Sequence, residues 1–317
     1  MLSRQASSLY WIGRYQERAE NIARYLQVKY FSTMDSTMLE YRELALRSII
    51  FMSSGNVPGE IIPEEGDILW DVSLNSSSNT SILSYLSAVR ENTKSVRNLI
   101  SNELWEIVNK NYHFANGFSG DYLKSRGLYE FTHKIQDHSA TFHSKLESTL
   151  LHDDVWAFIK LGINVERASH ITKTLINTLI ELSSTKGESR SQAVENYQWL
   201  ITLNMLEATD MSRKIFKSTV QQSNACEFLI TNLDFPRSIA FSLVEANSLI
   251  QKIKNTSSWS HFDRDSVEFK SAKMTSFLKY LNYAEIDSQL EPFLNTTLKD
   301  LFVLNDLIHE EFFDYKS

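Results

Sequence analysis

"LYWIGRYQERAENIARYL", residues 9–26, decides the fold. Leu9, Ile12, Tyr15, Ala19, Ile22, Ala23 and Leu26 recur at three- and four-residue spacing, which lays one apolar stripe along an α-helix. Gly13, Glu17, Glu20 and Arg24 form a second line on the opposite face. On a solvated face they would be ordinary polar surface, with a Glu20–Arg24 pair contributing about 0.2–0.5 kcal/mol. Gly13 argues otherwise. A glycine inside a helix costs about 1 kcal/mol relative to alanine, and close approach of another backbone or a ligand is a better reason for it than solvent. Tyr10 and Trp11 make this end apolar nearly all round. Glu17, and Glu166 at the same place in a second copy, are therefore expected in or beside a crowded, partly buried interior.

The pattern returns in "GINVERASH", residues 162–170, where Gly162 leads to Glu166-Arg167-Ala168 as Gly13 leads to Glu17-Arg18-Ala19. Glu166 lies 149 residues beyond Glu17. Two weaker matches follow in the same order, Tyr41 and Leu44 with Tyr197 and Leu200, then Ser81-Ile82 and Leu86 with Ser238-Ile239 and Leu243. A slowly drifting offset is what loop insertions produce between two copies of one unit. The expectation is an all-α, internally duplicated helical bundle of about ten helices with approximate twofold symmetry. It would form a single domain over residues 1–317, built from halves 1–150 and 151–317, with two separate bundles as the alternative.

Composition agrees with long helices. The 317 residues include only 9 glycines and 4 prolines, too few for the turns of a sandwich or barrel, and 42% hydrophobic content suffices for a large core. Helices are expected over 39–52, from about Thr80 with Ser101 as a break, through Trp105, and from about 121 to 150. More follow over 154–182, 192–207, 210–231, 236–255, 264–282 and 287–314. "NSSSNTS" supplies N-caps before the helix near Thr80, and Pro236 suits a first helical position. "SSGNVPGEIIPEEGD" (53–67), "ANGFSGD" (115–121) and "SSTKGESRS" (183–191) are loops.

A net charge of −7 and scattered lysines and arginines argue against nucleic-acid binding. The single cysteine, Cys226 in "NACEFLI", excludes an internal disulfide framework and reads as a small buried residue. The N-terminus lacks a signal-peptide core and no stretch is long and apolar enough to span a bilayer. A soluble, cytoplasmic protein is expected, and sequons such as Asn79-Thr80-Ser81 are incidental.

A buried carboxylate needs a partner. Arg90 or Arg97, seven apart on the helix after Thr80, is the expected partner of Glu17, since arginine stems cover apolar surface while guanidinium groups seek carboxylates. Glu17 is expected to matter more to stability than Glu20. The cluster then reads either as an ion-pair network fixing how the halves pack, or as a polar site for a charged ligand.

Other constellations are weaker. Glu130-x-x-His133 matches half of a di-iron motif, but the sequence holds no second Glu-x-x-His. His133, His138 and His143 are five apart and do not share a face. No metal or cofactor is read from these patterns. Neither a phosphate loop nor a Gly-x-Ser-x-Gly elbow occurs.

"LYWIGRYQERAENIARYL", "NTSILSYLSAVRENTKSVRNLISNELWEIVN", "LGINVERAS" and "FPRSIAFSL" together resemble the alpha-E family over nearly the whole chain. The resemblance implies a bacterial all-helical domain with a repeated Glu-Arg (ER) motif and no established function. It also implies a setting among ATP-grasp amide-ligase-like and transglutaminase-like proteins, hence peptide synthesis or modification. Carried over by residue, the first motif is intact at Arg14, Glu17, Arg18, Glu20, Asn21 and Arg24. The second keeps Glu166 and Arg167 but has Ile163 in the place of Arg14, and Ser169-His170 where an acidic residue and asparagine would be usual. One intact site beside a degenerate half is expected. Two functions follow: a non-catalytic accessory or substrate-presenting partner of such a system, favoured because no activated nucleophile appears, or an enzyme using the Glu/Arg cluster on a peptide or amino-acid-like substrate.

Overall fold

The computed structural model describes residues 1–33, 39–55, 59, 61–184, 192–254 and 263–314. Among them the chain is all-helical, with no strand. Residues 56–58, 60 and 185–191 of the expected loops and residue 255 of the helix expected over 236–255 lie outside the described residues, as does the side chain of Tyr41. Contacts divide the chain into two compact units, Ser8–Ile159 and Lys160–Ser317 with Met1–Ser7.

In the unit Ser8–Ile159 the first helix, α1 (Ser3–Phe31), is followed by α2 (Leu39–Ser54), α3 (Glu65–Ser73), α4 (Ile82–Ser95), α5 (Asn102–Asn116), the short α6 (Gly120–Tyr122) and α7 (Leu128–Thr149). The Ser81 hydroxyl accepts from the Ser84 N–H and the Ser101 hydroxyl from the Leu104 N–H, so each serine caps the helix it precedes. α5 packs on both α4 and α7, and α2 packs on α3. α3 was not expected: its first three residues, 65–67, close the stretch read as loop, the other six carried no assignment, and Ile68, Leu69 and Val72 are buried. Between α6 and α7 the chain takes a π-turn, Leu123–Gly127.

The second unit holds most of α8 (Asp154–Ser184), then α9 (Gln192–Met205), α10 (Thr209–Phe216), α11 (Gln222–Thr231), α12 (Ile239–Lys254), α13 (Val267–Lys279) and α14 (Leu290–Phe312). α13 packs between α12 and α14. The helix expected over 210–231 is two. Lys217 takes φ 52°, the left-handed conformation that closes a helix, and its N–H returns to the Arg213 carbonyl at 2.9 Å. The helix expected to begin at Pro236 begins three residues later, because the Ser238 hydroxyl accepts the Phe241 N–H at 3.0 Å and thereby sets the cap.

α1 and α8 are buried on nearly every side. α8 manages this with short polar side chains that bond back to their own helix: Ser169 to Val165 O, Thr172 to Ala168 O and Thr174 to His170 O, each at 2.8–2.9 Å. α1 buries more of the long charged ones, Arg14, Glu17, Glu20, Arg24 and Lys29, against Glu166 and Glu181 on α8. That density places the candidate chemistry on α1.

Candidate functional site

Both Glu-Arg copies lie inside these long helices with one burial pattern: glycine, glutamate and alanine buried, arginine half-buried. Glu17 is 0% and Glu166 5% exposed. The expected interior position holds for both. Glu20, at 4%, is as enclosed as Glu17, so ranking it as the lesser residue has no basis in the geometry.

Around the first copy the side chains form a connected set. Arg24 pairs with Glu20 Oε1 and donates through Nη1 to Asn21 Oδ1 at 3.2 Å, while Asn21 Nδ2 reaches Glu17 Oε1 at 3.4 Å. Buried ions need such partners, and residues at i, i+3 and i+4 on one helix supply them. Arg14 donates to the Tyr10 hydroxyl at 2.9 Å and lies near the Tyr10 and Trp11 rings. Arg18 stands 5.4 Å from the Tyr85 ring centre and 5.9 Å from that of Tyr15, and Tyr15 in turn stacks on Trp11. These aromatic faces hold the guanidinium groups by cation–π attraction.

Arg90 and Arg97 do not join this set. Arg90 donates to Asn109 Oδ1 at 2.8 Å and sits 4.9 Å from the Tyr112 ring centre. Arg97 bonds Asn102 and the Ile100 carbonyl, 5.7 Å from the Trp105 ring centre. Amide acceptors and aromatic faces on or just before α5 lie nearer than any carboxylate of α1. Beside α4 and α5, a cleft of about 280 Å³ is lined by Ser84, Ser87, Glu91, Tyr112 and Asn116, without a clustered acid–base set.

The partner that sequence reasoning missed is His143. Its Nε2 lies 2.9 Å from Glu20 Oε2 and 3.7 Å from Glu17 Oε2. Reading α7 alone, the five-residue spacing of its histidines argued against a shared site, and they indeed go separate ways. His138 is buried with Nδ1 3.2 Å from Asn111 Oδ1, and His133 is exposed near Asp137. Contacts between α1 and α7 run from the Phe31 and Tyr129 rings, through Gln27 and Gln136, to Glu20 and His143. They ascend one helix while descending the other, the order of an antiparallel pair. No local pattern encodes that juxtaposition.

A family model for a predicted alpha-helical domain with a conserved ER motif, Alpha-E, matches residues 1–313. The chain belongs to the Alpha-E family. Its Glu-Arg pairs, Glu17-Arg18 and Glu166-Arg167, are thus the kind of motif for which Alpha-E is described. Similar proteins include an uncharacterised protein of Mycobacterium bovis and two of Mycobacterium tuberculosis, each 23% identical over 283 residues. Those alignments cover 82% of this chain but 31% of each relative, so this Alpha-E chain spans about a third of the length of the curated relatives it matches. No solved structure matches it. Among the described residues no helix is long and apolar enough to cross a membrane.

Proposed function

We propose that this Alpha-E chain is a non-catalytic partner subunit that presents a peptide or amino-acid substrate within an ATP-dependent amide-ligation system. Its partners in this reading are ATP-grasp-like and transglutaminase-like proteins, and its site of action is the cytoplasm, where ATP is supplied. One observation carries the reading: in the mycobacterial relatives the matching region is about a third of a much longer polypeptide. A module joined to a further domain enjoys a high effective concentration toward it, which suits a part that presents a substrate to a neighbouring active site. The aromatic-held guanidinium of Arg18, half-buried on α1, is the group offered to an anionic partner or substrate.

The test is capture of the tagged chain from its native host, with the bound proteins identified and ATP-dependent amide formation measured with and without the chain. An ATP-grasp-like ligase should co-purify, and its turnover should fall when the chain is omitted. Arg18→Gln should lose the partner while keeping wild-type helicity, and Arg167→Gln should weaken it less. Capture without any ATP-dependent ligase refutes the reading.

A second reading rests on His143, whose side chain is 26% exposed beside two buried carboxylates. In that reading the chain is an enzyme, and the Glu/Arg cluster with His143 performs acid–base chemistry on a peptide or amino-acid-like substrate. Turnover by the purified chain alone would favour it.

A further inference from the structure

We propose that Glu17, Glu20 and His143 form a binding site for one divalent transition-metal ion, Zn²⁺ being the best-suited occupant. This inference goes beyond the partner reading and does not depend on it. The three donor atoms, one from each side chain, lie within 4.8 Å of one another. An ion holding nitrogen and oxygen donors at about 2.0–2.2 Å sets neighbouring donors about 3 to 3.5 Å apart. The Nε2–Oε2 separations of 2.9 and 3.7 Å bracket that spacing, so small side-chain shifts would close the site.

The arrangement around the donors resembles a ligand set with its outer shell in place. Each carboxylate has its Oε1 engaged by its own helix, Glu17 by Asn21 and Glu20 by Arg24, and each turns its Oε2 toward the same imidazole nitrogen. Outer partners of this kind orient ligating carboxylates. Mixed imidazole and carboxylate donors suit Zn²⁺ and its first-row neighbours, whereas Mg²⁺ and Ca²⁺ favour oxygen alone. Both glutamates are buried and His143 is partly exposed, so the ion would enter past the imidazole edge, where further coordination positions remain for water or a carboxylate. Arg24 opposes the ion electrostatically, which favours a modest affinity that chelators reverse. The bound ion would clip α1 to α7.

Isothermal titration of the full chain with ZnCl₂ after chelator treatment tests this. One ion per chain should bind, and His143→Ala should weaken binding at least about 100-fold, more than loss of an outer-shell partner. His133→Ala, on an exposed imidazole of the same helix, should leave it unchanged. Equal affinity in wild type and a folded His143→Ala variant overturns the proposal, as does no stoichiometric binding to the wild type. Should His143→Ala fail to fold by circular dichroism, a Co²⁺ titration of the wild type decides. Intense visible d–d bands saturating at one equivalent and displaced by Zn²⁺ support the site, and their absence overturns it.

Discussion

The Tyr30 hydroxyl donates to Glu65 Oε1 at 2.7 Å, and Arg42 holds the same carboxylate through Nε at 2.6 Å and Nη2 at 2.8 Å. One carboxylate therefore joins α1, α2 and α3. Burial, and then the bond to Glu65, pushes the Tyr30 hydroxyl up to about 12, while Arg42 holds the Glu65 carboxyl below its usual range. Arg42 is half-exposed, so the ion pair itself adds little. Tyr30→Phe should cost about 1 to 2 kcal/mol in urea titrations. Because the folded state raises this group, its contribution is complete below pH 10 and fades as pH climbs through about 12. The gap between wild type and Tyr30→Phe should narrow over that window.

His138 gives the acid limb. Burial first, then Lys134 and Lys110, lowers its imidazole to about 4, with Asp137 opposing. A depressed histidine favours the fold fully above its ordinary value of 6.5, and that stability is lost as pH falls toward about 4. The loss is on the order of 3 kcal/mol for a shift of this size. His138→Gln, which cannot take up the proton, should flatten the stability profile between those limits. A wild-type profile already flat there would refute the assignment.

Glu20→Gln removes the charge paired with Arg24 in an enclosure where the two side chains are 5% and 4% exposed. Breaking a buried pair costs about 3 to 5 kcal/mol, against at most about 1 for an exposed one. Urea titration should therefore show a loss as large as that for Glu17→Gln. A sub-kilocalorie effect would show that the cluster is solvated.

The start of α12 separates two caps. Ser238→Ala deletes the acceptor for the Phe241 N–H and should cost about 1 kcal/mol. Pro236→Ala lies in the preceding turn and should cost less. The reverse order in thermal melts would move the helix start back to Pro236.

Gly127 cannot take a side chain without displacement, since a Cβ there would meet Tyr122 Cδ1 at 2.6 Å. Gly127→Ala should cost about 1 to 3 kcal/mol. Part of that cost should vanish in a Tyr122→Ala background, and a strictly additive cycle would exclude the clash.

The sequence made the helices legible wherever an apolar stripe ran for several turns, as along α1 and α8, and the repeated glycine marked Glu17 and Glu166 as interior. Its failures share a cause. α3 is too short for periodicity to outweigh Gly66 and the glutamates around it. Lys217 closes α10 in a left-handed conformation that no glycine announces. Arg90 and Arg97 were assigned by helix face and charge, while aromatic faces, amide acceptors and, for Arg90, the neighbouring Glu91 claimed them. His143 meets Glu20 across 123 residues, and pairing between helices leaves no trace in the spacing of either one.

The π-turn at Leu123–Gly127 amounts to one surplus residue absorbed into an otherwise regular helix. That surplus fixes the azimuth of everything before it. Lys124, within the turn, is held against α3, its Nζ 2.6 Å from Asp67 Oδ1 and its stem covering Gly66. Deleting Ser125 would let residues 120–149 wind as one continuous α-helix and swing the leading turn about 100° around the axis. The deletion would thus lengthen the regular helix while carrying Lys124 off α3. This stretch of chain is tuned by residue count as much as by residue identity, and alignments that close gaps here would misregister α6 against α7.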